Sequence, residues 1–240
     1  MNISKFMKAA RKGTKLRRCG AVIVAAGTAS RMGGIDKVMA PLGGEPMILR
    51  TVRAFQKSDA IREIVIVTRL DLVEPIRKLC ADMDKVVTVV VGGDSRQESV
   101  MKGIMALSGK MQLVAVQDGA RPLITVEVID RTVHAANHFY AAAPAIPVKD
   151  TIKVVKGGLV ADTPDRSTLQ AVQTPQVFDV DLLKGALTQA EKEKAQVTDD
   201  CSAVERLGMS VRMVAGDERN IKVTTPLDLK IAELFLEEMV

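Results

Sequence analysis

The sequence predicts an α/β fold: a Rossmann-like, mostly parallel sheet with helices on both faces and a protruding β-arm. Three observations lead there. Short β-branched runs recur along the chain, amphipathic helix-like stretches fall between them, and this alternation breaks once, after Pro147, where a Gly-Gly pair marks a turn. The composition agrees: 47% of the 240 residues are hydrophobic but only 2% aromatic, with no Trp and one Tyr. A core of Val, Ile, Leu, Ala and Met suits parallel strands that are covered on both sides.

Taken in order, the strand-like runs are GAVIVA (20–25), IREIVIVT (61–68), KVVTVVV (85–91), QLVAVQ (112–117) and AAAPAIPV (141–148). Pro46, in a favourable first-turn position, opens a helix through Ile48, Leu49, Val52 and Phe55. Asp94 or Ser95 caps a second helix that carries Val100, Ile104 and Leu107, and Thr125 caps a third with Val128, Ile129 and Val133 on its inner face. Residues 149–178 form the excursion, in which TIKVV and the following GG read as half of a hairpin. A helical stretch over 180–195, another from Asp199 and Asp200, a strand at VRMVA (211–215), the segment NIKVTTP (220–226) and a C-terminal amphipathic helix complete the chain. The expected organisation is a basic extension over 1–19 and one domain over 20–240 with the arm inserted.

The formal charge is +5, yet residues 1–19 hold Lys5, Lys8, Arg11, Lys12, Lys15, Arg17 and Arg18 and no acid. Without those seven the body carries 27 basic against 29 acidic side chains, so no nucleic-acid partner is expected and the tail reads as a solvated extension. No apolar run reaches the roughly 18 residues of a membrane span, and the first 19 residues contain no apolar leader, which predicts a cytoplasmic protein with no membrane partner. Cys19, Cys80 and Cys201 are too scattered for a disulfide framework or a zinc site. His134 and His138, four apart on a predicted helix, have no third ligand in view and read as surface or packing residues.

The chemistry concentrates where the first strand runs into AAGTASRMGGIDK (25–37). Small residues let backbone N–H groups approach phosphate oxygens, while Arg31 and Lys37 supply charge. Positions 27, 29 and 32 are Gly, Ala and Met, so the dinucleotide fingerprint is not met, and no Gly-Lys-Ser/Thr closes a P-loop.

That loop and the following PLGGEPMI resemble the signature of nucleotidyltransferases that activate sugars and polyols. Together with VVGGDSRQESV (90–100), VQDGARP (116–122), PVKDTIK (147–153), LQAVQTPQ (169–176), VTDD (197–200) and NIKVTTPLDL (220–229), the chain resembles, over about 20–240, the 2-C-methyl-D-erythritol 4-phosphate cytidylyltransferase family. The resemblance implies that a phosphate oxygen of methylerythritol phosphate attacks the α-phosphorus of CTP and expels pyrophosphate. It makes Arg31 and Lys37 stabilisers of the transition state, and Arg166 and Lys222 the residues that hold the acceptor phosphate. It lays Ala25, Ala26, Gly27 and Gly119 along the nucleotide and makes Gly93, Asp94 and Ser99 the cytosine pocket. For Asp94, helix capping and base contact both stay open. Asp118 faces sugar hydroxyls or the metal-nucleotide, with Arg121 on the same rim and Thr151, Thr174 and Thr198 as polar neighbours. Mg²⁺ is held mainly by the CTP phosphates, with Asp118 the one candidate protein ligand. The arm crosses to a second copy, so a homodimer with arm exchange is implied. Ala29, Ser30, Gln117 and Gly119 depart from the family's commoner residues. The rival readings are a ribitol 5-phosphate cytidylyltransferase of the same fold and a non-catalytic nucleotide-binding regulator.

Overall fold

The computed structural model describes residues 16–27 and 38–238. Its frame is an eight-stranded sheet among the described residues, and the strands that build its centre match the β-branched runs of the sequence. β1 (Cys19–Ala25) lies between β6 (Leu113–Asp118) and β4 (Ile61–Thr68), and β5 (Val86–Val91) follows β4, all parallel. On the other side β11 (Gln176–Asp179) runs antiparallel between β6 and β7 (Ala141–Pro147). β10 (Gln170–Val172) also pairs antiparallel with β7, and β12 (Arg212–Ala215) pairs with it in parallel.

Each central strand sends alternate side chains to opposite faces. Cys19, Ala21, Ile23 and Ala25 of β1, with Ile64 and Ile66 of β4, meet α1 (Met47–Lys57), α2 (Leu70–Leu79) and α4 (Val126–Phe139). Val22, Val65, Val67, Val114 and Val116 point the other way, into α3 (Arg96–Ala106), α5 (Val180–Lys192) and α6 (Asp200–Glu205). Phe55 and Phe178 are fully buried, so a nearly aromatic-free chain still places a large ring in each layer. α7 (Pro226–Glu237) covers a smaller cluster with Leu42, Met47, Leu123 and Val223. Thr225 and Asp228 form its capping box. No described helix is long and apolar enough to cross a membrane.

Several boundaries differ from the sequence reading. Pro46 is the N-cap of α1 rather than a first-turn residue, and it closes a small hairpin of β2 (Pro41–Leu42) with β3 (Glu45–Pro46). The helix α2, with Pro75 inside it, has no counterpart among the expected elements. The excursion is shorter than 149–178: β8 (Val154–Lys156) and β9 (Leu159–Asp162) form the exposed hairpin around Gly157 and Gly158, but β10 and β11 return to the main sheet.

The basic extension also ends earlier than residue 19. Arg17 donates to Asp179 at 2.9 Å and to the carbonyl of Ala136 at 2.8 Å, and its guanidinium stacks on Tyr140. The Arg18 carbonyl accepts from Gln112 and Leu113, and Cys19 is already buried in β1. Both residues serve the fold, Arg17 through its guanidinium, whose partners on a distant strand end and helix turn a tail charge into an anchor, and Arg18 through its backbone alone.

Candidate functional site

A cleft of about 400 Å³ opens beyond the carboxyl ends of β1, β5 and β6. This is where open α/β sheets bind ligands. One wall is Ala25, Ala26 and Gly27, and a second is the turn from Gly93 to Ser99. The floor and far side bring Asp118, Ala120 and Lys222. Arg31 and Lys37, like Ala29 and Ser30, lie outside the described residues.

The turn after β5 is shaped by hydrogen bonds local in sequence. Ser95 caps α3 by accepting from Glu98 N, which leaves the Asp94 carboxylate free of the cap. The Asp94 N–H donates to Glu98 Oε2 at 2.8 Å. Ser99, only 2% exposed, donates to the Ser95 carbonyl at 2.9 Å and accepts from Gly93 N at 3.0 Å, so its proton fastens the turn. Gly92 must be glycine there: a Cβ would lie 2.6 Å from the Cβ of Ala26 and 2.8 Å from Ser99 Oγ. The two walls therefore close to backbone contact.

Opposite them stands a charge cluster around Asp118, the last residue of β6. Its Oδ2 lies 2.9 Å from Lys222 Nζ and 3.6 Å from Arg121 Nε, and its Oδ1 lies 3.9 Å from Arg96 Nη2. Burial alone would raise the Asp118 pKa, but the charges of Lys222, Arg96 and Arg121 more than offset it and hold the carboxyl below the usual range. Thr174, buried, accepts from Asp118 N at 3.1 Å and so fixes the strand end. Lys222 is delivered by a long connection. Val223 N–H donates to the Ala120 carbonyl, Arg121 Nη1 donates to the Asn220 carbonyl at 2.6 Å, and the Asn220 amide donates to the Thr174 carbonyl.

Of the expected site residues, the structure brings Ala25, Ala26, Gly27, Gly93, Asp94, Ser99, Asp118 and Lys222 to one cleft. Arg121 and Thr174 stand directly behind Asp118. Gly119 is buried with its N–H on the Val24 carbonyl, and Ala120 takes its place in the lining. Thr198 is exposed ahead of α6, its N–H on Ser202 Oγ. Thr151 and Arg166 sit on the exposed arm, with Arg166 Nη1 donating to the Lys149 carbonyl at 2.6 Å, and neither lines the cleft of its own chain.

Arg96 is a cleft residue that sequence reasoning passed over. Its Nη2 donates to Asp200 Oδ2 at 2.8 Å, and Asp200 is 1% exposed. Burial pushes the Asp200 carboxyl up, more than the charge of Arg96 draws it down. The available signal was an arginine at the first helical position of α3 and an acid at the first position of α6, two places that ordinary helix ends also explain. His134 and His138 are exposed on α4, and among the described residues no three His, Cys, Asp or Glu side chains gather as a metal site.

The arrangement suits a substrate with a base at one end and a crowd of phosphates at the other. Known proteins agree with it. A family model for 2-C-methyl-D-erythritol 4-phosphate cytidylyltransferase (IspD) matches residues 19–238. A protein of that name from Symbiobacterium thermophilum is 47% identical over 219 residues, which span 90% of this chain and 92% of its own. One from Caldanaerobacter subterraneus subsp. tengcongensis is 43% identical over 223 residues, 91% of this chain and 98% of its own. The crystal structure of 4-diphosphocytidyl-2C-methyl-D-erythritol synthase from Anaerococcus prevotii superposes with a TM-score of 0.84 at 30% identity, covering 92% of this chain and 96% of that one. With the model spanning the sheet, the cleft and the closing helix, the chain belongs to the 2-C-methyl-D-erythritol 4-phosphate cytidylyltransferase family.

Proposed function

We propose that this enzyme condenses CTP with 2-C-methyl-D-erythritol 4-phosphate to give 4-diphosphocytidyl-2-C-methyl-D-erythritol and pyrophosphate, a step of isoprenoid precursor synthesis. The observation that carries the reading is the single cleft in which the small-residue walls face the Asp118, Lys222 and Arg96 cluster, in a chain of this family. The walls from Ala25 to Gly27 and Gly93 to Ser99 take the nucleotide. Cytosine is read by groups on the second wall, whose polar atoms uracil would leave unpaired.

In the reaction an oxygen of the acceptor phosphate attacks the α-phosphorus. The bond from that phosphorus to the α,β-bridging oxygen breaks, and the electron pair leaves with pyrophosphate. Two polyanions must meet, so fixed cations carry the catalysis. We assign transition-state stabilisation to Arg31 and Lys37 by family resemblance. Lys222 holds the acceptor phosphate, and to do so it exchanges its contact with Asp118 for one with the phosphate. Asp118 then orients acceptor hydroxyls, with Arg121 and Thr174 fixing it.

The described residues do not build a protein-held metal site. Asp118 is already matched by three cations, and Asp200 is buried against Arg96. Mg²⁺ therefore enters as part of the nucleotide substrate. The exposed arm with Thr151 and Arg166 supports a homodimer in which each arm completes the partner's cleft. The three cysteines are free thiols, and we assign the cytoplasm as a reducing compartment.

The test is pyrophosphate release with CTP, UTP, ATP and GTP crossed against methylerythritol phosphate and ribitol 5-phosphate. Turnover with CTP and methylerythritol phosphate alone is expected. A preference for ribitol 5-phosphate would reassign the acceptor, and no turnover in any pair would refute the enzymatic reading.

A further inference from the structure

We infer that Arg96 and Asp200 are a positioning pair for this reaction: the buried Asp200 carboxylate holds the Arg96 guanidinium back from Asp118, which leaves Asp118 Oδ1 open to accept a hydroxyl of the polyol phosphate. The inference rests on the cytidylyltransferase reading and gives two further residues a part in it. Distances carry the argument. Arg96 Nη2 is 2.8 Å from Asp200 Oδ2 but 3.9 Å from Asp118 Oδ1, beyond hydrogen-bond reach. Lys222 and Arg121 both approach the other oxygen of Asp118, at 2.9 and 3.6 Å. Oδ1 is thus the oxygen to which none of the three cations donates.

Asp200 is fastened independently of any substrate. Its N–H and that of Cys201 both donate to Gln176 Oε1 on β11, and Gln176 Nε2 in turn donates to Asp199 Oδ2. Among the described residues Arg96 is the one partner of the Asp200 carboxylate, and its Oδ1 has none. In surroundings this dry a lone partner is held tightly. Without that hold, a guanidinium 3.9 Å from a carboxylate has every reason to close onto it as a two-pronged pair, covering the oxygen that the acceptor needs.

The test measures pyrophosphate release with MgCTP and methylerythritol phosphate varied in turn, on the wild type, Asp200→Asn and the double variant Arg96→Met with Asp200→Asn. Arg96→Met alone strands a buried carboxylate and endangers folding, whereas the double variant removes both charges together. Asp200→Asn is expected to raise the KM for the polyol phosphate roughly tenfold, the worth of one hydrogen bond to a charged acceptor, with the KM for CTP changed less than about twofold. The double variant should recover most of that loss in the acceptor KM, because no guanidinium remains to close on Asp118, whereas kcat and the KM for CTP are not expected to return, since Arg96 lines the nucleotide wall. A purely structural role would move both KM values or neither, and would not be undone by a second substitution. An unchanged acceptor KM in Asp200→Asn, or a double variant no better than Asp200→Asn, overturns the pair while the functional reading stands. A wild-type enzyme inactive with this substrate pair overturns the functional reading and the inference with it.

Discussion

If each arm completes the cleft of a second copy, two impaired variants must rescue one another. Lys222→Ala and Arg166→Ala are the pair to use, because Lys222 lines the cleft of its own chain whereas Arg166 does not. Both should fold. Removing Lys222 leaves Asp118 facing Arg121 and Arg96, and Arg166 is an exposed side chain whose bond is to the Lys149 carbonyl, so its loss costs within about 0.5 kcal/mol. Each variant alone loses a cation from every site, and with it charge-assisted bonds to phosphate worth about 1.5–3 kcal/mol each, or roughly 10- to 100-fold in rate. In a mixed dimer one site takes both lesions and the other combines an intact Lys222 with the partner's intact arm. Random reassembly makes half of the dimers mixed, with one good site in two, so activity should recover to roughly a quarter of wild type. The assay is pyrophosphate release after the two variants are dissociated and reassembled together, with a tag on one of them to confirm exchange. Recovery no greater than the sum of the variants treated alone would show that Arg166 serves its own chain, and the shared-site argument would fall.

Other consequences are as direct. CTP should be preferred over UTP by at least about a hundredfold in kcat/KM, and Ser99→Ala, which frees the Gly93 turn, should raise the KM for CTP about five- to tenfold with little change in kcat. Equal rates with both nucleotides would remove the base pocket from this turn. Asp118→Asn should abolish turnover and, by leaving Lys222 and Arg121 without their carboxylate, cost about 3–5 kcal/mol near neutral pH, read from chemical denaturation. The folded pKa of Asp118 lies below its unfolded value, so this stability is complete above about pH 4 and lost as pH falls through the folded pKa. Wild type and variant should therefore converge in acid; a gap independent of pH would contradict the assignment. Asp228→Ala removes the acceptor of the Thr224 and Thr225 N–H groups at the start of α7, and should cost about 1–2 kcal/mol in a thermal melt. Deleting residues 1–18 should lower the midpoint by about 5 °C or more relative to deleting 1–15, through loss of the Arg17 bonds. Equal midpoints would make Arg17 dispensable.

What the sequence made legible divides by the range of the interaction. The central strands and most of the helices were readable because Val, Ile and Leu alternate or recur within a few residues, and α4 begins where Thr125 said it would. The helix α2 escaped because its ten residues are mostly polar on the outside and carry Pro75, a breaker by local rules, which the packing of Leu72 and Ile76 against the sheet overrides. β10 and β11 are three and four residues long, too short to show a period, and only their partners on β7 and β6 make them strands.

The same division runs through the site. Gly93, Asp94, Ser99 and Asp118 were named by the family resemblance, whose motifs are short runs of sequence: the first three share one turn and Asp118 ends a strand. Arg96 and Asp200 lie 104 residues apart, and Arg17 and Asp179 lie 162 apart. No spacing rule joins such residues. Read singly, an arginine opening a helix or near the chain start is a surface charge, and an acid in a first helical turn is there for the dipole. The fold decides otherwise by burying one partner: Asp200 is 1% exposed and needs a cation, and among the described residues Arg96 is the one within reach. Where a chain carries unexplained charges at helix starts, the residues to suspect are those whose opposite number lies on a strand or helix that closes the same cleft.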